Sequence, residues 1–220
     1  RRPQVVCNVP ALPDGRRELK ILMLTDVHLG SMVGREKVAQ IAAVVDAEKP
    51  DIIVSTGDLA DGGAEHLERL VEPLRNIDAP LGKYAVMGNH EFYTGVQRSV
   101  EFHENAGFRM LRGSAVTLGD NQELVIAGVD DPAGKRFNLE GGLDEAAALA
   151  AGRGDRAVVL LKHRPRVDPE SVDKFDIQLS GHVHGGQIFP FNVFVAMDYK
   201  YGAGLHRVSD RSRLYVSRGT

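Results

Sequence analysis

Five short clusters in this chain carry side chains of the kinds that hold metal ions and move protons. They are Asp26-Val-His28, Gly57-Asp58-Leu-Ala-Asp61, Gly88-Asn89-His90-Glu91, His163, and Gly181-His182-Val-His184. Each has a plainer reading on its own. An Asp-x-His after a strand is usually a turn whose aspartate bonds its own backbone. Gly-Asp is a common turn dipeptide, and Asn-His proves little. The His-x-His pair says more, because residues two apart on an extended chain face the same way. Jointly the clusters hold five of the eight histidines, which independent turns do not explain.

The donor set is chemically coherent. Aspartate, histidine and asparagine supply oxygen and nitrogen without thiolate. That suits Mn²⁺, Fe, Zn²⁺ or Ni²⁺ rather than a cysteine-type structural zinc. Two such ions ~3.5–4 Å apart clamp the attacking and leaving oxygens of a displacement and acidify a bound water. Two acidic ligands against two dications leave positive charge to attract a phosphate. The chemistry implied is hydrolysis of a phosphoester.

Such ligands need rigid elements behind them. Each cluster follows a short apolar, β-branched run of strand length. The runs are Lys20–Thr25, Ile52–Thr56, Tyr84–Met87, Leu124–Val129, Ala157–Lys162, Ile177–Ser180 and Leu214–Ser217. Helical periods lie between several of them. Arg35–Glu48 places Val38, Ile41, Ala42 and Val45 on one face, and Pro50 closes it. Ala64–Asn76 is a second helix, which Pro73 kinks or shortens. Val96–Ala106 ends at Gly107, and Leu143–Ala151 ends at Gly152. The alternation predicts an α/β fold with largely parallel strands. It weakens after the fourth strand, so two packed sheets flanked by helices fit better than one doubly wound sheet. In such sheets functional groups gather beyond the carboxyl ends of the strands, where the clusters lie.

The ordered set Asp-x-His, Gly-Asp-x-x-Asp, Gly-Asn-His-Glu, His, Gly-His-x-His resembles the calcineurin-like metallophosphoesterase superfamily over about Ile21 to Gly219. The resemblance implies a four-layer α-β-β-α sandwich of two mixed sheets. It implies that Asp26, His28 and His184 hold one metal, that Asn89, His163 and His182 hold the other, and that Asp58 bridges them. By the same resemblance a metal-bridging hydroxide attacks phosphorus, His90 faces the leaving oxygen, and Asp61 orients His90. Glu91 supports its turn. Protein Ser/Thr phosphatases of the superfamily place arginine where Gly62 stands here. That departure favours phosphodiester or pyrophosphate-type substrates over phosphoproteins. Finer features, including Ala11-Leu-Pro-Asp-Gly15 and Tyr215-Val-Ser-Arg-Gly219, resemble a bacterial branch that is often membrane-anchored. A lipid-linked substrate and a membrane-proximal setting are implied.

Composition narrows the remaining classes. A chain of 220 residues with 43% apolar content suits one domain over residues 1–220, with 1–19 as a lead-in. A net charge of -3 and no basic stripe speak against nucleic acid, so a nuclease ranks low. A non-catalytic scaffold ranks low because no ligand is lost. Cys7 stands alone, so no disulfide forms within the chain. No run of about 18 apolar residues marks a membrane helix. The first residue is Arg1, so a membrane anchor could precede it; otherwise a cytoplasmic enzyme is expected. Arg164 and Arg218 are the expected phosphate contacts. Asp130-Asp131-Pro132 reads as a turn rather than a sixth ligand cluster. His66 and His103 are expected on exposed helix faces. The irregular apolar stretch Gln187–Tyr201 reads as core fill or as a lid beside the site.

Overall fold

The computed structural model describes residues 18–119, 123–139, 141–152, 154, 156–183 and 199–220. Strand β1 (Ile21–Leu24) leads to helix α1 (Arg35–Glu48), β2 (Ile52–Ser55) and α2 (Ala64–Arg75). Next come β3 (Lys83–Ala85), α3 (Asn89–Thr94), α4 (Val96–Asn105), β4 (Arg109–Met110), β5 (Ser114–Leu118) and β6 (Leu124–Val129). A 3-10 turn at Pro132–Phe137 precedes α5 (Glu145–Leu149), β7 (Ala157–Lys162) and β8 (Ile177–Ser180). The last strands are β9 (Gly204–Arg207) and β10 (Arg213–Val216).

Two sheets form. One runs β1-β2-β3-β4, parallel throughout. The other runs β5-β6-β7-β8-β10-β9, with a parallel centre and antiparallel edge strands β5 and β9. Side-chain alternation along the strands builds the layers. Ile52 and Val54 of β2 meet Leu124, Ile126, Val159, Leu161 and Leu179 between the sheets. Ile53 points the other way, onto Val38, Ile41, Leu67, Leu74 and Phe102 of the helices. On the far side Val125, Ala127, Val158 and Leu160 pack on Ala148 and Leu149 of α5. The result is the expected α-β-β-α sandwich, in which the central strands are buried on both faces.

Two sequence expectations change. Pro73 neither breaks nor visibly shortens α2, which continues to Arg75. Proline two residues from a helix end removes only one hydrogen bond of the last turn. His103 is not exposed: it is fully buried on α4, between the rings of Phe102 and Phe108. Its Nδ1–H donates to the Ser99 carbonyl at 2.7 Å, which satisfies half of the imidazole inside the core. His66 is exposed as expected. Cys7, Ala11-Leu-Pro-Asp-Gly15, His184 and most of Gln187–Tyr201 lie outside the described residues. No helix among the described residues is long and apolar enough to cross a membrane.

Candidate metal centre

The clusters come together at the carboxyl ends of the strands of the two packed sheets. β1, β2 and β3 deliver Asp26 with His28, Asp58 with Asp61, and Asn89 with His90. From the second sheet, β7 and β8 deliver His163 and His182. Backbone bonds lock the tips to one another. Asp26 N–H donates to the Gly57 carbonyl, His28 N–H to that of Asp58, and Gly181 N–H to that of His163. Asp26 accepts the His182 N–H at 3.0 Å, which ties the sheets across the site.

The chain bends sharply to aim these side chains. Seven non-glycine residues among those described adopt positive φ, and four are Asp26, His28, Asp58 and His182. Each such turn costs ~1–2 kcal/mol for an L-residue. Strain of this kind persists where function needs the geometry. Two motif glycines are required by contact instead. A Cβ at Gly88 would overlap the Asp58 carboxylate, and one at Gly181 would overlap Asp26 and Thr25.

At the centre, the arrangement of donors fits a cation. His163 is fully buried and its Nδ1–H donates to the Thr56 carbonyl at 2.9 Å. That fixes the tautomer and turns the Nε2 lone pair inward, as the outer partner of a metal-bound histidine does. Nε2 then stands 3.2 Å from Asn89 Oδ1, 3.2 Å from Asp58 Oδ2 and 3.0 Å from His182 Nδ1. One ring nitrogen cannot bond three such neighbours. Lone pairs crowded in this way need a positive charge among them. Burial alone would lower the His163 pKa, but Asp58, Asp26 and Asp131 outweigh it and raise it to about 9. Burial would raise Asp58, yet His163 and the His90 N–H hold it below the usual carboxylate range. His182 stays neutral, lowered to about 4 by burial and by the positive charges of His163 and Arg164. Asp26, His28 and Asp58 make a second group whose ligand atoms lie within 4.8 Å of one another. Asp58 belongs to both groups.

Beside this centre, Asp61 Oδ2 accepts from His90 Nδ1 at 3.0 Å and from His28 Nδ1 at 3.2 Å. The rings of His28 and His90 meet edge-to-face at 4.6 Å. The expected pairing of Asp61 with His90 is therefore only half of its contacts: the same oxygen also orients His28.

Glu91 proves larger in scope than a turn support. It is fully buried, and its carboxylate accepts the N–H groups of Asp58, Leu59, Ala60 and Gly88 at 2.8–3.0 Å. It thus clips together the loops that carry Asp58 and Asn89. Arg164 is held by Asp131 through Nε at 2.6 Å and a second nitrogen at 3.1 Å. Asp131 also caps the turn at Pro132, so Asp130-Asp131-Pro132 is a turn as expected. Arg218 is exposed on the segment after β10, where Thr220 N–H bonds the Thr25 carbonyl beside Asp26.

Comparison with known proteins agrees with this geometry. The sequence profile described as calcineurin-like phosphoesterase matches residues 19–186. An uncharacterized metallophosphoesterase of Aquifex aeolicus is 41% identical over 94% of this chain and 79% of its own length. A transmembrane protein with metallophosphoesterase domain of Bos taurus is 35% identical over 96% of the chain, which spans only 50% of that protein. Among solved structures, a dimetal phosphatase from Danio rerio superposes with a TM-score of 0.60 at 13% identity. It covers 91% of this chain and 87% of its own, a likeness that speaks to the fold alone. This chain belongs to the calcineurin-like phosphoesterases and is a metal-dependent phosphoester hydrolase.

Proposed function

We propose that the chain hydrolyses phosphodiester or pyrophosphate-type bonds at a centre of two divalent ions. Asp26, His28 and His184 would hold one ion, Asn89, His163 and His182 would hold the other, and Asp58 would serve both. The observation that carries this reading is the crowding of Asn89, Asp58 and His182 around the inward Nε2 of His163. The donor types fit Mn, Fe, Zn or Ni. When bound, the two ions supply Lewis acidity and a nucleophile from water at neutral pH.

The protein groups do the rest. Asp61 holds the His90 ring so that its Nε2 faces substrate and delivers a proton to the departing oxygen. By gripping His28 as well, Asp61 sets the ligand and the acid in register. Arg218 and Arg164 contact the phosphoryl oxygens. Gly62 leaves no arginine at the position where phosphoprotein phosphatases carry one. A lipid-linked substrate near a membrane is supported by the transmembrane relatives and by the bacterial branch the motifs resemble.

The test is a screen of purified protein with each metal, using bis(p-nitrophenyl) phosphate, p-nitrophenyl phosphate and nucleotide-diphosphate lipids. His90→Ala is expected to retain metal and lose about 10²–10⁴-fold in turnover on substrates with poor leaving groups. The loss shrinks for p-nitrophenolate. Wild-type turnover of a poor leaving group by His90→Ala would refute the role of His90.

A further inference from the structure

An aromatic platform stands beside the proposed acid, and the chemistry so far has no use for it. His90 and Tyr93 lie three residues apart on α3, hence on one face. Their rings meet edge-on at 5.7 Å. Tyr93 lies 6.2 Å from Phe137. Phe137 is stacked on Phe92, with planes 12° apart at 6.3 Å. Phe92 is buried among Met87 and Ala133, so the stack has a fixed base. Gly134 lets the Pro132–Phe137 turn sit tightly on it: a Cβ there would stand 2.9 Å from the Phe92 ring. Asp131 anchors the same turn to Arg164, next to His163. Tyr93 and Phe137 are nevertheless 53% and 44% exposed. With Leu139 they are three of the five most exposed large apolar side chains among the described residues. Leu139 joins them through its N–H bond to the Gly134 carbonyl. A grouped patch at a site calls for an explanation that scattered apolar residues do not.

We infer that Tyr93 and Phe137 form a subsite for an aromatic ring carried by the leaving group. The inference rests on the hydrolase reading, in which His90 protonates the departing oxygen. The group that protonates that oxygen marks the side on which the rest of the leaving group lies, and Tyr93 adjoins His90 there. A fixed aromatic cluster with exposed ring surface favours a flat ring over a flexible chain, because aromatic rings pair offset-stacked or edge-to-face at centroid separations that a saturated ring or chain does not exploit.

The test compares three phosphodiesters that differ only in the departing alcohol: methanol, cyclohexylmethanol and benzyl alcohol. Wild-type kcat/KM is expected to favour benzyl over both others by roughly threefold to tenfold, the range of one aromatic pair. Tyr93→Ala and Phe137→Leu should each pull the benzyl-to-cyclohexylmethyl ratio toward one. Phe137→Leu keeps apolar bulk and so isolates the flat ring. Leu205→Ala, a similarly exposed apolar position on β9, should leave the ratio and the rates as they are. Equal preference for cyclohexylmethyl and benzyl in the wild type would overturn the subsite as a ring binder. So would a benzyl preference that survives both platform variants. If the wild type with metal bound hydrolyses none of the three but turns over bis(p-nitrophenyl) phosphate, the leaving-group subsite falls alone. If it also turns over neither bis(p-nitrophenyl) phosphate nor nucleotide-diphosphate lipids, the hydrolase reading falls and the subsite with it.

Discussion

Replacing Glu91 by glutamine isolates the clip that joins the loops carrying Asp58 and Asn89. In the wild type Oε1 accepts the Leu59 and Ala60 N–H groups, and Oε2 accepts those of Asp58 and Gly88. A glutamine offers one acceptor oxygen, so whichever way the amide turns, its NH₂ confronts two backbone donors. Two buried N–H groups lose their acceptor, at ~1–3 kcal/mol each, or about 2–6 kcal/mol together. Burial raises the Glu91 pKa, which means the native carboxylate carries a desolvation cost that the neutral amide avoids. That offset places the expected loss near the lower end, ~2–3 kcal/mol. For a chain of this size each kcal/mol moves Tm by ~2–4 °C, so a fall of roughly 4–12 °C is expected. Metal affinity should fall as well, because the Asp58 and Asn89 loops lose their common anchor. The control is Leu149→Ala on α5, buried in the separate core on the far side of the second sheet, which should cost ~2–5 kcal/mol with metal affinity intact below its melting range. Calorimetry and metal titration read both effects. Wild-type melting of Glu91→Gln, or a loss of metal affinity no greater than that of Leu149→Ala, would rule out Glu91 as the anchor of the two loops.

Two further outcomes follow from other groups. Asp61→Asn should lower metal content as well as turnover, because the same oxygen holds His28 and His90; full metal occupancy with reduced turnover would confine Asp61 to His90. Asp130 is fully buried against Arg112, and burial outweighs that partner to raise its pKa to about 6. A carboxyl raised above its unfolded value of ~3.9 binds its proton more tightly in the native state, so its contribution to stability is present below that value and lost as pH rises through about 6. Urea unfolding of wild type and Asp130→Asn should therefore show the wild type losing ~2–3 kcal/mol relative to the variant between pH 4 and pH 7.5; a difference that does not change with pH would contradict this.

Much of the site was legible because chemistry and strand ends coincide in the sequence. Asp26, His28, Asp58, Asn89, His163 and His182 do converge, since parallel strands release their tips on one side. Strands Leu124–Val129, Ala157–Lys162 and Ile177–Ser180 have the bounds expected, the first two because they are apolar runs buried on both faces, the third because Ile177 and Leu179 alternate with Gln178 and Ser180. The elements that escaped are short or half-buried. β4 has two residues, β5 and β9 are edge strands of mixed burial, and α3 is six residues long and opens on the Asn89-His90 motif itself. None carries enough of a period to be read. His103 was misplaced because its residue type suggests solvent, while the ring contacts and the Ser99 carbonyl that keep it inside are set by tertiary packing. The second partner of Asp61 and the four partners of Glu91 are likewise contacts between loops, and no spacing within one segment encodes them.

The two-ion centre with Asp58 shared between its halves is the central claim, and anomalous diffraction from manganese-loaded crystals tests it most directly. Two peaks are expected about 3.5–4 Å apart, with Asp58 touching both, His28 and Asp26 at one, and Asn89, His163 and His182 at the other. A single peak, or two peaks of which only one contacts Asp58, would contradict it.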